Sequence, residues 1–412
     1  MIVKCVIGLG YRKVRDQHCI PFVQGSLDTR FRRLQLLLRR GCFFTWTARE
    51  IEGVVGKERA RILGAYYGVT AAGNFEGRNI LHVPRTLPDV AGELGLSPER
   101  VGEVVEEAKE LLYKARAKRP PPLRDEKILA AWNGLMIGAH ARAALVLGDE
   151  RYAARAARAA EFILTTMRSK EGRLLRSFMD GQTSRNGFLD DYAFLIAGLL
   201  DLYEATSEVH WLEEALALDG VLEDFYEDKE HGGYFMTSDD HESLLAREKP
   251  AYDGAEPSGN SVQALNLLRL HELTTDDRYR RRAERALQAF GDRLEQAPAA
   301  LSEMLLASDF HFGTPKEVVI VTPASRADAE PLLGKLRSTF LPNRVLAVVA
   351  EGRDLAAQSE LVPILEGKVA RGGRATAYVC ERRICDLPTS DPEVFEKQIR
   401  KVAPLKAADT PP

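Results

Sequence analysis

Apolar and polar positions divide the chain between residues 125 and 295 into repeated helical pairs. Asn133, Asp191 and Gly259 each open an apolar helical pattern, and an aromatic residue of the following pattern comes 19, 20 and 20 residues later. This near-constant spacing predicts three αα-hairpins of one length, with the variation confined to the loops between them. The first pattern is apolar almost all round and the second is amphipathic, which predicts inner and outer helices of an (α/α) barrel.

The flanking regions have different patterns. Short helices are predicted over residues 47–55 and 57–66, and a longer one over 98–116, where Ser97 precedes a proline at the first helical position. After Pro298, strand-like runs at 317–322, 345–350 and 375–380 alternate with helical stretches, which predicts a small parallel α/β unit. A last helix is expected after Asp391.

Composition narrows the class of protein. The 412 residues are 45% hydrophobic and 28% charged with a net charge of -3, which is typical of a globular chain with no general attraction for nucleic acid or membrane. No apolar run approaches the roughly 18 residues that span a bilayer. Five scattered cysteines fit a reducing compartment, so we expect a cytoplasmic protein in which Cys380 and Cys385 are ordinary thiols rather than a redox couple.

Residues 1–42 differ from the rest, with nine Lys or Arg against two acids. A basic amphipathic helix over residues 30–40 would fit a nucleic-acid or membrane-surface role. A disordered or foreign segment is the favoured interpretation, and a truncated or frame-shifted gene start would produce one.

Six motifs together resemble one family. They lie at residues 125–127 (DEK), 132–136 (WNGLM), 189–193 (LDDYA), 232–235 (GGYF), 253–260 (DGAEPSGN) and 375–380 (ATAYVC). Their order and spacing resemble the thioredoxin-domain-containing family of spermatogenesis-associated protein 20 and its bacterial relatives.

The resemblance implies a fold and a partner domain. Members carry a thioredoxin-like domain followed by a six-hairpin toroid similar to N-acylglucosamine 2-epimerases and six-hairpin glycosidases. The fold expected here is therefore mainly α, an incomplete (α/α) six-hairpin toroid over 43–310 followed by a small C-terminal α/β unit over 311–404 and a tail over 405–412. The chain lacks a C-x-x-C motif and a thioredoxin-like start, so a C-terminal portion of the family pattern is expected. An incomplete ring would expose apolar surface and favour self-association.

Sugar chemistry on a toroid rim needs carboxyl groups at a controlled separation and aromatic side chains that stack on the ring. Glu256, Asp191 and Asp253 are the candidate catalytic residues, because each lies just before or at the start of a predicted inner helix. The alternative for Asp191 is a helix N-cap, whereas the proline after Glu256 makes capping a weaker explanation there. Glu256 is therefore the favoured acid or base.

Further rim residues are candidates for substrate binding. They are Asp125, Trp132, Asn133, Asp190, Tyr192, His231, Tyr234, Ser258 and Asn260. The alternatives are a charge pair with Lys127 for Asp125, capping for the amides and Ser258, and core packing for Trp132 and Tyr192. No histidine pair can be placed as base and acid, which disfavours epimerase chemistry.

The sequence thus leaves two functions open. One is a sugar hydrolase or isomerase without a cofactor or metal, because no ligand set stands at a helical i, i+4 spacing with a third nearby. The other is a non-catalytic interaction module, in which the toroid is a pseudo-enzyme, since fold alone does not fix function.

Overall fold

The computed structural model describes residues 43–122, 124–242 and 245–401. The predictions for residues 1–42 and for the tail lie outside the described residues. The chain divides into two compact units, one ending at Asp125 and the other beginning at Glu126.

The N-terminal unit is helical in its described part. Thr47 caps the first helix in a capping box with Glu50, whose side chain accepts from the Thr47 amide at 2.8 Å, as the sequence predicts. Isoleucine, valine and leucine side chains from all four helices bury one core. The helices are α1 (Ala48–Val55), α2 (Lys57–Tyr67), α3 (Leu87–Leu94) and α4 (Pro98–Ala117).

The second unit contains the three predicted helical hairpins. Their inner helices α5, α7 and α9 pack side by side, and α7 is buried on nearly every face, which confirms the division into inner and outer helices. The fold is mainly α and has the (α/α) toroid arrangement that the sequence predicts. The hairpins comprise α5 (Ala130–Leu147) with α6 (Glu150–Thr166), α7 (Leu189–Thr206) with α8 (Val209–Phe225), and α9 (Gly259–Thr274) with α10 (Asp277–Ala289).

Two glycines explain how closely the inner helices approach. A Cβ atom on Gly134 of α5 would lie 2.6 Å from the backbone nitrogen of Leu195 on α7, and one on Gly198 would lie 2.6 Å from the carbonyl oxygen of Gly134. The two backbones are therefore in direct contact, and no larger residue fits at either position without displacing a helix.

Short elements connect and extend the hairpins. A three-stranded antiparallel sheet precedes α7, and its central strand carries Arg176. After α10 the chain forms α11 (Gly291–Gln296), a 3-10 turn at Pro298–Ala300 and α12 (Ser302–Phe312), which packs on α9 as a further inner helix. The sheet strands are β1 (Ile128–Leu129), β2 (Leu175–Met179) and β3 (Gln182–Asn186).

The last part of the second unit is the predicted α/β region. Its sheet has four strands in the order β5, β4, β6, β7. Val318 and Ile320 of β4 pack under the helices on one face, while Val319 and Val321 join the core of the helical hairpins on the other, as the two-residue period of a strand requires. The elements are β4 (Lys316–Thr322), α13 (Glu330–Arg337), β5 (Arg344–Ala350), α14 (Arg353–Ser359), β6 (Thr376–Glu381), β7 (Ile384–Cys385) and α15 (Pro392–Arg400).

Two expectations about this sheet are wrong. Only β4 and β5 are parallel, whereas β6 runs antiparallel to β4, so the sheet is mixed. Because β4 and β5 are parallel, their C-terminal ends lie at the same end of the sheet. β6 starts at that end, opposite Val321, and runs back along β4, so the chain does not have to cross to the other end of the sheet before β6 begins. Cys380 and Cys385 are not free thiols but form a disulfide, because a two-residue turn places them directly opposite each other on β6 and β7.

Candidate functional site

Asp191 caps two helices rather than facing solvent. It is fully buried, and its carboxylate accepts from the backbone amide of Ala131 at 3.0 Å and from that of Phe188 at 2.8 Å. Arg176 adds an ion pair at 3.1 Å. Burial raises the pKa of Asp191, and Arg176 and the two amides oppose that rise. The carboxylate therefore joins the N-termini of α5 and α7, and its oxygens are occupied by protein donors.

Asp253 has the same kind of structural role at the next junction. Its Oδ1 accepts from the Ser258 amide at 2.7 Å, and its Oδ2 accepts from the Glu303 amide at 2.8 Å and from the Ser261 hydroxyl at 3.1 Å. The side chain is buried. One carboxylate thus ties the loop before α9 to the first turn of α12.

Three other candidates also hold the backbone. Ser258 is the N-cap of α9 and accepts from the Ser261 amide at 3.1 Å. Asn260 is fully buried, accepts from the Tyr234 amide at 2.7 Å and donates to the Tyr234 and Pro250 carbonyl groups. Asn133 donates to the carbonyl oxygen of Leu129 at 2.8 Å. These polar groups fix the loops in which the sequence predicts a binding site.

Of the remaining candidates, the two tyrosines are buried and the histidine is exposed beside an aspartate. Tyr192 is fully buried, packs against Tyr226 with ring centroids 5.3 Å apart and accepts from the Leu174 amide. Tyr234 is also buried in the core, so neither ring is accessible for stacking on a sugar. His231 is exposed, and its imidazole lies 3.6 Å from the Asp228 carboxylate.

Trp132, Glu256 and Asp190 form a different arrangement, which we call the rim cluster. The indole nitrogen of half-buried Trp132 donates to Glu256 Oε2 at 2.9 Å, and Glu256 is exposed. Asp190 is close enough to Glu256 for the second carboxylate to raise its pKa. The structure thus brings together three predicted site residues, from the start of α5, the start of α7 and the loop before α9.

Asp190 differs from its neighbour Asp191 in its hydrogen bonding. Burial first, and then the Asp191 charge, raise the pKa of Asp190 from 3.8 to about 6, while the Gly259 amide and the Arg176 charge oppose that rise. Its Oδ1 atom is buried without a hydrogen-bond partner. A carboxyl group with this pKa is populated in both its protonated and its ionised form close to neutral pH, and can therefore give up or accept a proton there.

Gly259 makes room for that carboxyl group. A Cβ atom at Gly259 would lie 2.5 Å from Asp190 Oδ1 and 2.6 Å from Leu189 Cγ. The start of α9 therefore closes directly over the Asp190 side chain. Because this glycine does not adopt a positive φ, its function here is the close approach and not a turn.

Two features of the site escape sequence reasoning. Asp190 is expected only to bind substrate, yet it is the rim-cluster carboxyl group whose pKa is raised to about 6, and the motif at 189–193 gives no sign of which aspartate is hydrogen-bonded. Sequence reasoning also misses Arg176, which pairs with Asp191 and whose guanidinium lies 4.7 Å from the Phe188 ring centroid. Its neighbours become visible only once β2 is placed beside α7. Asp125 is the last residue of the N-terminal unit, and its role stays a prediction.

The described residues show no feature that points to a metal ion or a membrane. Within those ranges, no three His, Cys, Asp or Glu side chains gather in a way that could hold a metal ion. No helix there combines the length and apolar character needed to cross a bilayer.

Comparison with known proteins identifies similar chains. The chain is 36% identical to human spermatogenesis-associated protein 20 over 86% of its own length and 49% of that protein, and 35% identical to the mouse protein of that name over 88% and 50%. These relatives confirm the resemblance inferred from the motifs. The chain spans about half the length of the curated relatives it matches. No protein-family model matches it.

Two solved structures align with part of the chain. A cellobiose 2-epimerase from Spirochaeta thermophila aligns with 40% of this chain and 43% of its own at 21% identity and a TM-score of 0.35. A D-mannose isomerase aligns with 42% of each chain at 16% identity and a TM-score of 0.34. Because identity and overlap are low, the chemistry has to be inferred from the side chains of the rim cluster.

Proposed function

We propose, taking this chain as a homologue of spermatogenesis-associated protein 20 over the aligned residues, that its rim cluster performs acid and base chemistry on a small sugar. The observation that supports this most is the Asp190 carboxyl group, with its pKa raised to about 6 and a buried oxygen without a partner. It lies near enough to the exposed Glu256 carboxylate for the two to interact, and Glu256 accepts a hydrogen bond from the Trp132 indole.

Asp190 is the proposed proton donor. With a pKa of about 6 it is half protonated at that pH, so both the acid and the base form are populated close to neutral pH. General acids and bases work best when their pKa lies near the working pH. A sugar oxygen within hydrogen-bond reach of Asp190 would receive this proton.

Glu256 and Trp132 supply the complementary functions. The exposed Glu256 carboxylate is the proposed base, since it is accessible to a ligand from solvent. The Trp132 indole holds Glu256 through its N–H, and its ring face gives a sugar an apolar surface to stack on. A pair of carboxyl groups flanking the scissile bond is the usual machinery of glycoside hydrolysis, and a positioned acid and base can also transfer the protons of an isomerisation.

The proposal is tested by incubating the protein with a panel of aldoses, ketoses and disaccharides. Proton NMR in D2O detects exchange of the hydrogen next to the carbonyl, which marks isomerisation or epimerisation, and new reducing ends mark hydrolysis. We expect Asp190→Asn and Glu256→Gln each to lower the rate by roughly 10²- to 10⁴-fold. Asp239→Asn, at an exposed aspartate, is the matched control and should leave the rate unchanged.

A non-catalytic module is the second candidate. It is favoured by one observation, namely that Asp191 and Asp253 are both occupied as caps. In that case sugars would raise the melting temperature of the protein without turnover, or would have no effect at all. Turnover that survives both Asp190→Asn and Glu256→Gln would contradict the rim cluster as the site.

A further inference from the structure

A cavity lies between the end of α9 and the β6–β7 hairpin. Its volume is about 240 Å³, and we call it the exchange cavity. Pockets for drug-sized ligands are larger, at roughly 300–1,000 Å³, so this one suits a molecule of amino-acid size. Its lining residues are Thr275, Glu317, Pro363, Ile364, Lys368, Cys380, Arg383 and Cys385.

The disulfide forms part of the cavity wall and is accessible from one side. Cys380 is buried at 2% exposure on β6, whereas Cys385 is exposed on β7. An incoming thiolate can therefore reach the Cys385 sulfur from solvent or from the cavity. Attack on an accessible sulfur, with a second sulfur as leaving group, is the route by which disulfides exchange.

The turn inside the disulfide is strained. Arg382 and Arg383 both have positive φ, at 51° and 65°. Two-residue hairpin turns of this kind favour asparagine and glycine, because a Cβ atom disfavours the left-handed region. The disulfide therefore closes the hairpin just outside a turn whose two central residues both adopt the left-handed region.

The cavity carries both signs of charge. Glu317 is buried at 2% exposure and accepts from the Arg383 amide at 3.0 Å, while the Arg383 guanidinium donates to the Thr275 carbonyl oxygen at 3.2 Å. Lys368 supplies a half-buried ammonium that donates to the Ile364 carbonyl oxygen. Beside Glu317, burial and then the Glu317 charge raise the pKa of Glu272 to about 7. Such a wall suits a ligand with both an ammonium and a carboxylate.

We propose that Cys380–Cys385 is a reversible thiol–disulfide exchange site whose reductant is a small amino thiol with one ammonium and one carboxylate, bound in the exchange cavity. Lys368 and Arg383 bind the carboxylate, and Glu317 binds the ammonium. The ligand thiol is then held beside the exposed Cys385 sulfur.

The exchange balances with two thiols and no other reactant. The ligand thiolate attacks Cys385 Sγ and forms a mixed disulfide, and the bond to Cys380 breaks with its electron pair leaving as the Cys380 thiolate, which takes a proton from solvent. A second ligand thiolate attacks the ligand sulfur of the mixed disulfide, and the bond to Cys385 breaks with its electron pair leaving as the Cys385 thiolate, which takes a proton from solvent. The products are the ligand disulfide and a protein with two thiols.

The test uses the full chain with Cys5, Cys19 and Cys42 changed to serine, so that only the hairpin cysteines remain. After oxidation, peptide mass mapping should find Cys380 linked to Cys385. The disulfide is then reduced with L-cysteine, N-acetylcysteine, cysteamine or 2-mercaptoethanol at equal thiolate concentrations. We expect L-cysteine to show a saturating rate that exceeds that of 2-mercaptoethanol by about tenfold, the factor that 1.4 kcal/mol of binding supplies.

Two variants separate the contributions of the charges. Lys368→Met should slow the reduction of the disulfide by L-cysteine toward the rate measured with cysteamine, which lacks the carboxylate. Glu317→Gln, which keeps an acceptor for the Arg383 amide, should slow it toward the rate of N-acetylcysteine, which lacks the ammonium. Absence of the linked peptide after oxidation overturns the proposal. Equal, non-saturating rates for the four thiols on the protein with unchanged Glu317 and Lys368 overturn it as well.

Discussion

Carboxylates at the helix junctions form two groups that look alike in sequence and differ in structure. Asp191 and Asp253, the capping pair, are buried and accept hydrogen bonds from backbone amides of two elements each. Asp190 and Glu256 of the rim cluster interact with each other, and Asp190 keeps a buried oxygen without a partner. The number of protein donors, rather than the residue type or its place in the chain, distinguishes the carboxylates that hold the backbone from those proposed for acid and base chemistry.

The largest expected effect concerns the capping pair. Asp253→Ala removes the acceptor for the Ser258, Glu303 and Met304 amides and for the Ser261 hydroxyl. Buried donors without partners are expensive, so we expect a loss of about 3–5 kcal/mol in the free energy of unfolding. Urea denaturation measures it, with the exposed Asp239→Ala as control. A loss below about 1 kcal/mol would remove Asp253 from the capping pair.

A smaller loss of stability is expected at Gly259, where the start of α9 lies against Asp190 of the rim cluster. Gly259→Ala places a methyl group 2.5 Å from Asp190 Oδ1, so either the start of α9 or the Asp190 side chain must move. Overpacking of this kind costs about 2–3 kcal/mol. Gly220→Ala, at a helical glycine with open space around it, is the matched control and should be neutral or stabilising. Equal stabilities of the two variants would contradict the close approach.

A pH-dependent effect comes next. Because burial raises the pKa of Asp190 from 3.8 to about 6, the folded protein binds more protons than the unfolded chain between those values. This contribution to stability is full below pH 4 and is lost as the pH rises through 6. Asp190→Asn removes the dependence, so relative to the unchanged protein the variant should gain about 1–2 kcal/mol between pH 4 and pH 8, after discounting for partial exposure. Urea denaturation at the two pH values checks this, and a difference that stays constant would contradict the shifted pKa.

Glu256→Gln is expected to have the smallest effect on stability. The side chain is exposed and its hydrogen bond to Trp132 lies at the surface, so the free energy of unfolding should change by less than about 0.5 kcal/mol. The same variant should lose activity on the sugar that the panel identifies. A loss of stability above about 1.5 kcal/mol, measured in urea, would instead assign Glu256 a structural function.

Sequence reasoning predicts most of the fold and only part of the site. Helical periodicity and capping signals place the three hairpins, the strand β4 and the last helix within a few residues, because burial of one face and capping are local properties. The antiparallel direction of β6 depends on the end of the sheet at which that strand starts, and the disulfide depends on the resulting pairing of β6 with β7. Neither is a local property of the sequence. In the site, the pair Asp190 and Asp191 cannot be ranked by position, since the donors to Asp191 come from Arg176 and Ala131 on other elements.

The central claim is that the pKa of Asp190 is raised to about 6, so that its carboxyl group exchanges a proton close to neutral pH. The direct measurement is a carbon-13 NMR titration of protein labelled at the aspartate carboxyl groups, with Asp190→Asn used to assign the resonance. The account predicts a midpoint for Asp190 near pH 6, and a lower midpoint in Glu256→Gln because a neighbouring negative charge is removed. A midpoint at or below the ordinary aspartate value of 3.8 would contradict it.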